Sequence, residues 1–317
     1  MGGMAAVRFW RRNGLTILFY HKFQAEDVAG LTRQCEYLGR YYRVLPMSEA
    51  AARIRDGAPV PQRSVVITID DGHRGFFDYA APVFRRFGFT PIVYLTTGFV
   101  DTGGWLWFDR LEYAFHRTAR ASVSLDLPAR AQNGKRSLAL KTATHEDRIA
   151  AANEAIETAK RMSTVDCAAW TEGAVQALGA EPLPRPPAEY APLSWEQVHS
   201  LSADGVEFGA HTVTHPILSR LATADAVRAE IGDSKRRIEQ ELDKAVAHFS
   251  FPNGLPEDIP DCSRQVLAES GLQTAVTTTW GQVRTGSDPL MMPRVAVEPA
   301  DAMPWFQQCA AAFRLSR

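Results

Sequence analysis

Two unbroken runs of apolar and β-branched residues, Leu15–Thr16–Ile17–Leu18–Phe19–Tyr20 and Val65–Val66–Ile67–Thr68–Ile69, constrain this chain more than any other feature. A strand with one wet face alternates polar and apolar side chains. One that does not alternate is covered on both faces, and such strands belong to parallel sheets flanked by helices. Helical spacing follows each run. After His21, the residues Val28, Leu31, Cys35 and Leu38 recur at helical intervals over 27–39, with Gly39 placed to end the helix. Tyr42–Leu45 reads as a short strand, Ser48 as the N-cap of a helix over 49–55, and Gly57 as its stop. A helix over about 79–87, closed by Gly88, follows the second run, and Pro91–Thr96 supplies another strand. This alternation implies right-handed βαβ units and a parallel sheet, open or closed into a barrel.

The rhythm breaks between about 100 and 190. Trp105, Trp107 and Phe108 come first, then a polar helical stretch over 145–178, then the proline-rich run Glu181–Pro182–Leu183–Pro184–Arg185–Pro186–Pro187. This segment, about 101–190, reads as an insertion lying over one end of the sheet, with the prolines as a stiff return. Beyond it the α/β pattern resumes. Ser194–Gln197 fits a capping box and 206–208 a strand; 225–242 is an amphipathic helix with Val227, Ile231, Ile238 and Leu242 inward. Further strands are expected at 247–251, 274–278 and 294–297. No internal repeat is visible, and residues 1–317 read as a single domain carrying the insertion.

Composition narrows the class. With 45% hydrophobic and 22% charged residues in 317, the chain is an ordinary folded protein, and a net charge of −1 provides no field for nucleic acid. The longest apolar runs fall far short of the ~20 residues of a membrane span. Cys35, Cys167, Cys262 and Cys309 are scattered without CxxC spacing, which argues against a zinc ribbon or disulfide framework and for four buried free thiols. Arg8, Arg11 and Arg12 precede an apolar run only about half a signal-peptide core in length, with no small-residue cleavage site after it. A cytoplasmic location is the expectation.

Two short segments are candidates for chemistry, although by itself the first is also read as an ordinary Asp–Gly turn and the second as two unrelated surface histidines. Thr68–Ile69–Asp70–Asp71–Gly72–His73 places two carboxylates and a histidine where a buried strand ends, the edge at which parallel α/β folds build active sites. Neighbouring side chains in a strand point to opposite faces, so Gly72 is needed to let both acids reach one site. In His211–Thr212–Val213–Thr214–His215 the two imidazoles stand at i and i+4, the spacing that shares a face on a helical turn. A zinc protease would carry Glu at 212, where this chain has Thr. Two imidazoles and one carboxylate make a three-ligand set with open positions, leaving the second aspartate free as a base.

These residues resemble the polysaccharide deacetylases, a group of carbohydrate esterases. Thr68–Gly72 is similar to that family's threonine, hydrophobic, Asp–Asp–Gly motif, and His211–His215 to its paired-histidine motif. Phe249–Ser250–Phe251–Pro252–Asn253–Gly254 resembles its proline, aromatic, glycine groove, with Asn253 in the aromatic place. Tyr20–His21 resembles the close of its first strand. The resemblance covers about 15–100 and 190–298. It implies a distorted (β/α) barrel of about seven parallel strands with helices around it. It also implies one divalent metal, usually zinc, held by Asp71, His211 and His215, with Asp70 as catalytic base and the Asn253 N–H as oxyanion donor.

The implied reaction removes N-acetyl groups from an amino sugar or glycan. Two departures stand out. The arginine that orients the base before the third motif is absent, since Ala247 and His248 stand there. The late Leu–x–His that supplies the general acid is absent from Leu290–Met291–Met292–Pro293–Arg294–Val295. His21 and His73 are candidates for the acid. Arg294 is either a replacement for the orienting arginine or a surface residue. Trp105, Trp107 and Phe108 are either a sugar-stacking platform or an anchor for the insertion. Two alternatives remain: a deacylase of a small or lipid-linked acetamido sugar, and an inactive barrel that only binds glycan.

Overall fold

The computed structural model describes residues 2–128, 136–180 and 183–314. Among them the strands are β1 (Thr16–Tyr20), β2 (Arg43–Val44), β3 (Ser64–Ile69), β4 (Ile92–Leu95), β5 (Ser122–Asp126), β6 (Ser137–Lys141), β7 (Glu207–Ala210), β8 (His248–Ser250), β9 (Thr274–Trp280) and β10 (Met292–Ala296). Seven of these close a barrel in the order β1–β3–β4–β7–β8–β9–β10 and back to β1, every pairing parallel. The barrel is uneven. The β9–β10 register shifts between Met292 and Arg294, and β2 adds two residues beside the start of β3.

The two apolar runs lie in β1 and β3, buried along their whole length. Their alternate residues serve different cores. Leu18, Ile67, Val93 and Leu95 pack under the outer helices, whereas Ile17, Val66, Tyr94, Val276 and Met292 gather in a separate cluster inside the barrel. The inward parity of β3, read at Val66 and Thr68, next reaches Asp70; that of β10, read at Met292, next reaches Arg294. Strand pleat thus delivers both charged residues to the barrel mouth.

Several local expectations are revised. The first helix of the α/β series runs Val28–Tyr41, through Gly39, and stops only where Tyr42 turns extended. Ser48 is not an N-cap: the helix Met47–Arg55 begins after Pro46, and Ser48 binds the Glu207 carboxylate through its backbone N–H at 3.1 Å and through its hydroxyl. The capping box at Ser194 and Gln197 forms in both directions. Two of the four free cysteines, Cys35 and Cys309, are buried, while Cys167 and Cys262 are only half-buried.

The expected helical stretch of the insertion is two helices, His145–Ala159 and Thr164–Leu178, broken where Ser163 caps the second. Ahead of them lie a helix, Trp107–Arg117, and the antiparallel pair β5–β6, which the sequence reading missed. Together they enclose their own hydrophobic core, with Leu111, Phe115, Leu125, Leu140, Trp170 and Leu178 at its centre. Of the proline-rich return, Glu181 and Pro182 lie outside the described residues. Leu183 accepts a hydrogen bond from the Trp105 indole at 3.0 Å. No helix among the described residues is long and apolar enough to cross a membrane.

Candidate active site

The parallel ladder carries one residue past β3, where the Asp70 N–H donates to the Tyr20 carbonyl at 3.0 Å. The chain then turns sharply. Asp71 and Gly72 both take left-handed conformations, with φ of 71° and 88°. Gly72 was expected to supply that freedom, and a Cβ there would also meet the Leu95 side chain at 2.6 Å. Asp71 has no such licence. A non-glycine residue held left-handed costs on the order of 1–2 kcal/mol, so the surroundings must impose it. The turn aims the adjacent carboxylates at different partners within one site.

Asp70 meets Arg294. The guanidinium donates to both carboxylate oxygens, at 2.8 and 2.7 Å, and also to Thr68 Oγ1, Ser250 Oγ and the Thr277 carbonyl. Arg294 has no exposed surface and stacks over the Phe19 ring. Burial alone would raise the Asp70 pKa, but the Arg294 charge, aided by His211 and His21, outweighs it and holds the carboxyl below its ordinary range. The surface reading of Arg294 is thereby excluded. Its guanidinium holds the Asp70 carboxylate, a contact for which Ala247 and His248 supply no arginine.

Asp71 meets the histidines. His211 and His215 do not stand on a helical turn as their spacing suggested; the segment after β7 is a loop in which Thr212 and His215 are left-handed, with φ of 67° and 58°. The Glu230 carboxylate, from the helix Ala224–Leu242, holds this loop by accepting the N–H groups of Val213 and Thr214 at 2.7 and 2.9 Å and the Thr214 hydroxyl at 2.6 Å. The loop brings the two imidazoles edge to face, with centroids 4.8 Å apart.

His211 Nδ1 donates to the Ser250 carbonyl at 2.7 Å, which fixes the ring with Nε2 toward Asp71. Asp71 Oδ1 lies 3.4 Å from His211 Nε2 and 3.2 Å from His215 Nε2, yet it is buried and makes no hydrogen bond of acceptable geometry. Burial would raise its pKa, but the two imidazoles hold it well below the ordinary carboxylate range. One candidate ligand atom from each of the three residues lies within 4.8 Å of the others. An orphaned buried carboxylate oxygen facing two imidazole nitrogens is the donor set a divalent ion requires.

The remaining candidates separate. His73 is buried, with Nε2 2.7 Å from Asp109 Oδ2, while its Nδ1 has no hydrogen-bond partner and lies 3.9 Å from Asp71 Oδ2. His21 is half-buried at the end of β1, near enough to feel both aspartates; burial lowers its pKa more than those charges raise it. Asn253 follows Ser250 by three residues with φ of 59°. Its side chain binds the Asp258 carboxylate, and its carbonyl accepts the Thr278 hydroxyl at 2.6 Å. Among the described residues no acceptor takes its backbone N–H.

The aromatic trio of the insertion also divides. Trp105 packs against Tyr113 and Tyr190, while the Phe108 ring lies edge-on to His215 at 5.0 Å. Sequence reasoning missed Asp109, fully buried between His73 and Lys22, whose ammonium lies 2.6 Å away. It also missed Ser250 and Glu230. A lone Asp, Ser or Glu has no spacing signal, and only the fold reveals what each touches.

Comparison with known proteins gives three findings. The sequence model described as polysaccharide deacetylase matches residues 57–275. A curated relative, the poly-beta-1,6-N-acetyl-D-glucosamine N-deacetylase of Escherichia coli K12, is 27% identical over 110 residues, which are 31% of this chain and 16% of that protein. Among solved structures, a Streptococcus pyogenes deacetylase, PplD, in complex with acetate superposes with a TM-score of 0.60 at 17% identity, over 94% of this chain and 99% of that one. IcaB from Ammonifex degensii superposes with a TM-score of 0.59 at 16% identity, over 95% and 97%. At these identities the superpositions speak for the fold.

Proposed function

This chain belongs to the polysaccharide deacetylase family, and from that premise we propose that it is a metal-dependent hydrolase removing N-acetyl groups from an amino sugar or glycan. One observation carries the reading: an orphaned Asp71 oxygen between two imidazole nitrogens, beside a second aspartate held ionised by a buried arginine. Asp71, His211 and His215 would hold the ion, and two nitrogens with one oxygen suit zinc. Such an ion supplies Lewis acidity to the reacting water and to the amide carbonyl.

The chain's own groups do the rest. Asp70, fixed by both of its oxygens and lying beside the ligand set, accepts the proton of the attacking water. The Asn253 N–H, free of other acceptors, donates to the developing oxyanion. His73, with one nitrogen on Asp109 and the other facing Asp71, and His21, at the end of β1, are the two groups placed to pass a proton to the departing amine. The unpaired cysteines accord with a reducing, cytoplasmic compartment.

The reading is tested by measuring acetate release from N-acetylglucosamine oligomers with zinc-loaded and chelator-stripped protein. Release that depends on the metal supports it. Saturable glycan binding with no acetate from the loaded protein would favour an inactive glycan-binding barrel instead.

A further inference from the structure

His215 has two neighbourhoods. One side of it faces Asp71; it also lines a cavity of about 190 Å³ between the insertion and the loop that follows β7. The walls are apolar: Trp107, Met162 and Ala168 come from the insertion, Pro216 and Ile217 from the loop. Thr164, Cys167 and Thr214 also line it, with two cations. Lys160 is paired with Glu157 at 2.7 Å. Arg220 is half-buried, and its Nε reaches the Lys160 carbonyl at 3.4 Å. Its two terminal nitrogens have no carboxylate or carbonyl partner among the described residues. A largely apolar cavity large enough for more than a methyl group, with a guanidinium at its wall that meets no carboxylate among the described residues, is matched to an apolar chain bearing an anionic group.

We infer that this cavity is a substrate subsite for an apolar chain attached through an anionic link such as a phosphate, so that the acetamido sugar reaches the site on an amphiphile. The inference rests on the N-deacetylase reading for the identity of the sugar, and on the cavity alone for the tail. His215, which lines the cavity and faces Asp71, is the residue the two share: a tail seated against Trp107 and Ile217 lies one side chain away from the candidate ligand set. The insertion then has a chemical task, since it builds the half of the cavity that the barrel lacks.

The test is calorimetric titration of the full chain with decyl phosphate below its micellar concentration, beside uncharged decyl glucoside. Saturable one-to-one binding of decyl phosphate is expected, tighter than that of decyl glucoside. Arg220→Gln should weaken the phosphate by about tenfold or more, as loss of a charge-assisted bond does. Ala168→Trp, made from an exposed position on a helix, should fill the cavity and weaken both amphiphiles. Circular dichroism melting and zinc content, measured on the same samples, establish that each variant is folded. Absence of saturable decyl phosphate binding, or unchanged binding in both folded variants, would overturn the inference, and equal affinity for the two amphiphiles would overturn its anionic part. The titration does not depend on turnover. Decyl phosphate binding with no acetate release from either soluble N-acetylglucosamine oligomers or N-acetylglucosamine linked through phosphate to a decyl chain would leave the subsite standing and remove the N-deacetylase reading; acetate release without decyl phosphate binding would do the reverse.

Discussion

A guanidinium with no exposed surface is tolerated only where a carboxylate answers it, and for Arg294 that carboxylate is Asp70. The dependence is mutual. Arg294→Met should therefore leave Asp70 charged and unpaired in the barrel mouth, destabilising the fold by about 3–5 kcal/mol in urea unfolding. Adding Asp70→Asn should recover a large part of that loss, because the double variant buries no lone charge. A double variant as unstable as the two single losses combined would mean that the residues do not act as a pair. These partners stand 224 positions apart, which is why the sequence left Arg294 undecided between an orienting role and the surface. By contrast Asp70, Asp71, His211 and His215 were legible because each pair is local and bears a recognisable motif.

Helices, strands and loops around the site each leave a measurable trace. The loop 211–215 keeps two left-handed residues, and the three hydrogen bonds accepted by Glu230 are what compensate for them. Glu230→Ala touches no ligand atom, yet it should lower zinc affinity by about tenfold to a hundredfold, as loss of outer support commonly does. A competitive zinc titration checks this, and unchanged affinity would mean that the loop holds its shape alone. The sequence suggested a helical turn here because a spacing of four fits one; it could not show that a glutamate on a later helix holds a different shape.

At the start of β8, burial lowers the pKa of His248 from its ordinary 6.5 to about 4. The unfolded chain therefore takes up this proton first. Its contribution to stability is complete above about pH 6.5 and is lost as pH falls through about 4, on the order of 3 kcal/mol in all. His248→Asn should flatten the acid limb of unfolding free energy against pH between those values. An unaltered slope would rule out His248 as its source. The strands themselves were legible from their doubly buried runs, while β5–β6 was not, because its short alternating segments resemble the polar residues around them.

Across the whole molecule, barrel closure brings the ends of β3, β7 and β8 and the inward side of β10 to one rim, and the insertion adds Phe108 and Asp109 from above. The alternation of strands and helices already implied that rim. The insertion's part in it was hidden, since its contacts with His73, His215 and Lys22 join segments with no shared pattern. The account rests on a division of labour between adjacent aspartates, and zinc content with acetate release, measured on the same preparations of Asp70→Asn and Asp71→Asn, tests it most directly. Asp70→Asn should keep its zinc and lose about a hundredfold to ten-thousandfold in turnover, as loss of a general base does. Asp71→Asn should lose the zinc itself, because a charged ligand becomes a weak neutral one. Near-normal turnover in Asp70→Asn, or equal zinc loss in both variants, would contradict the account.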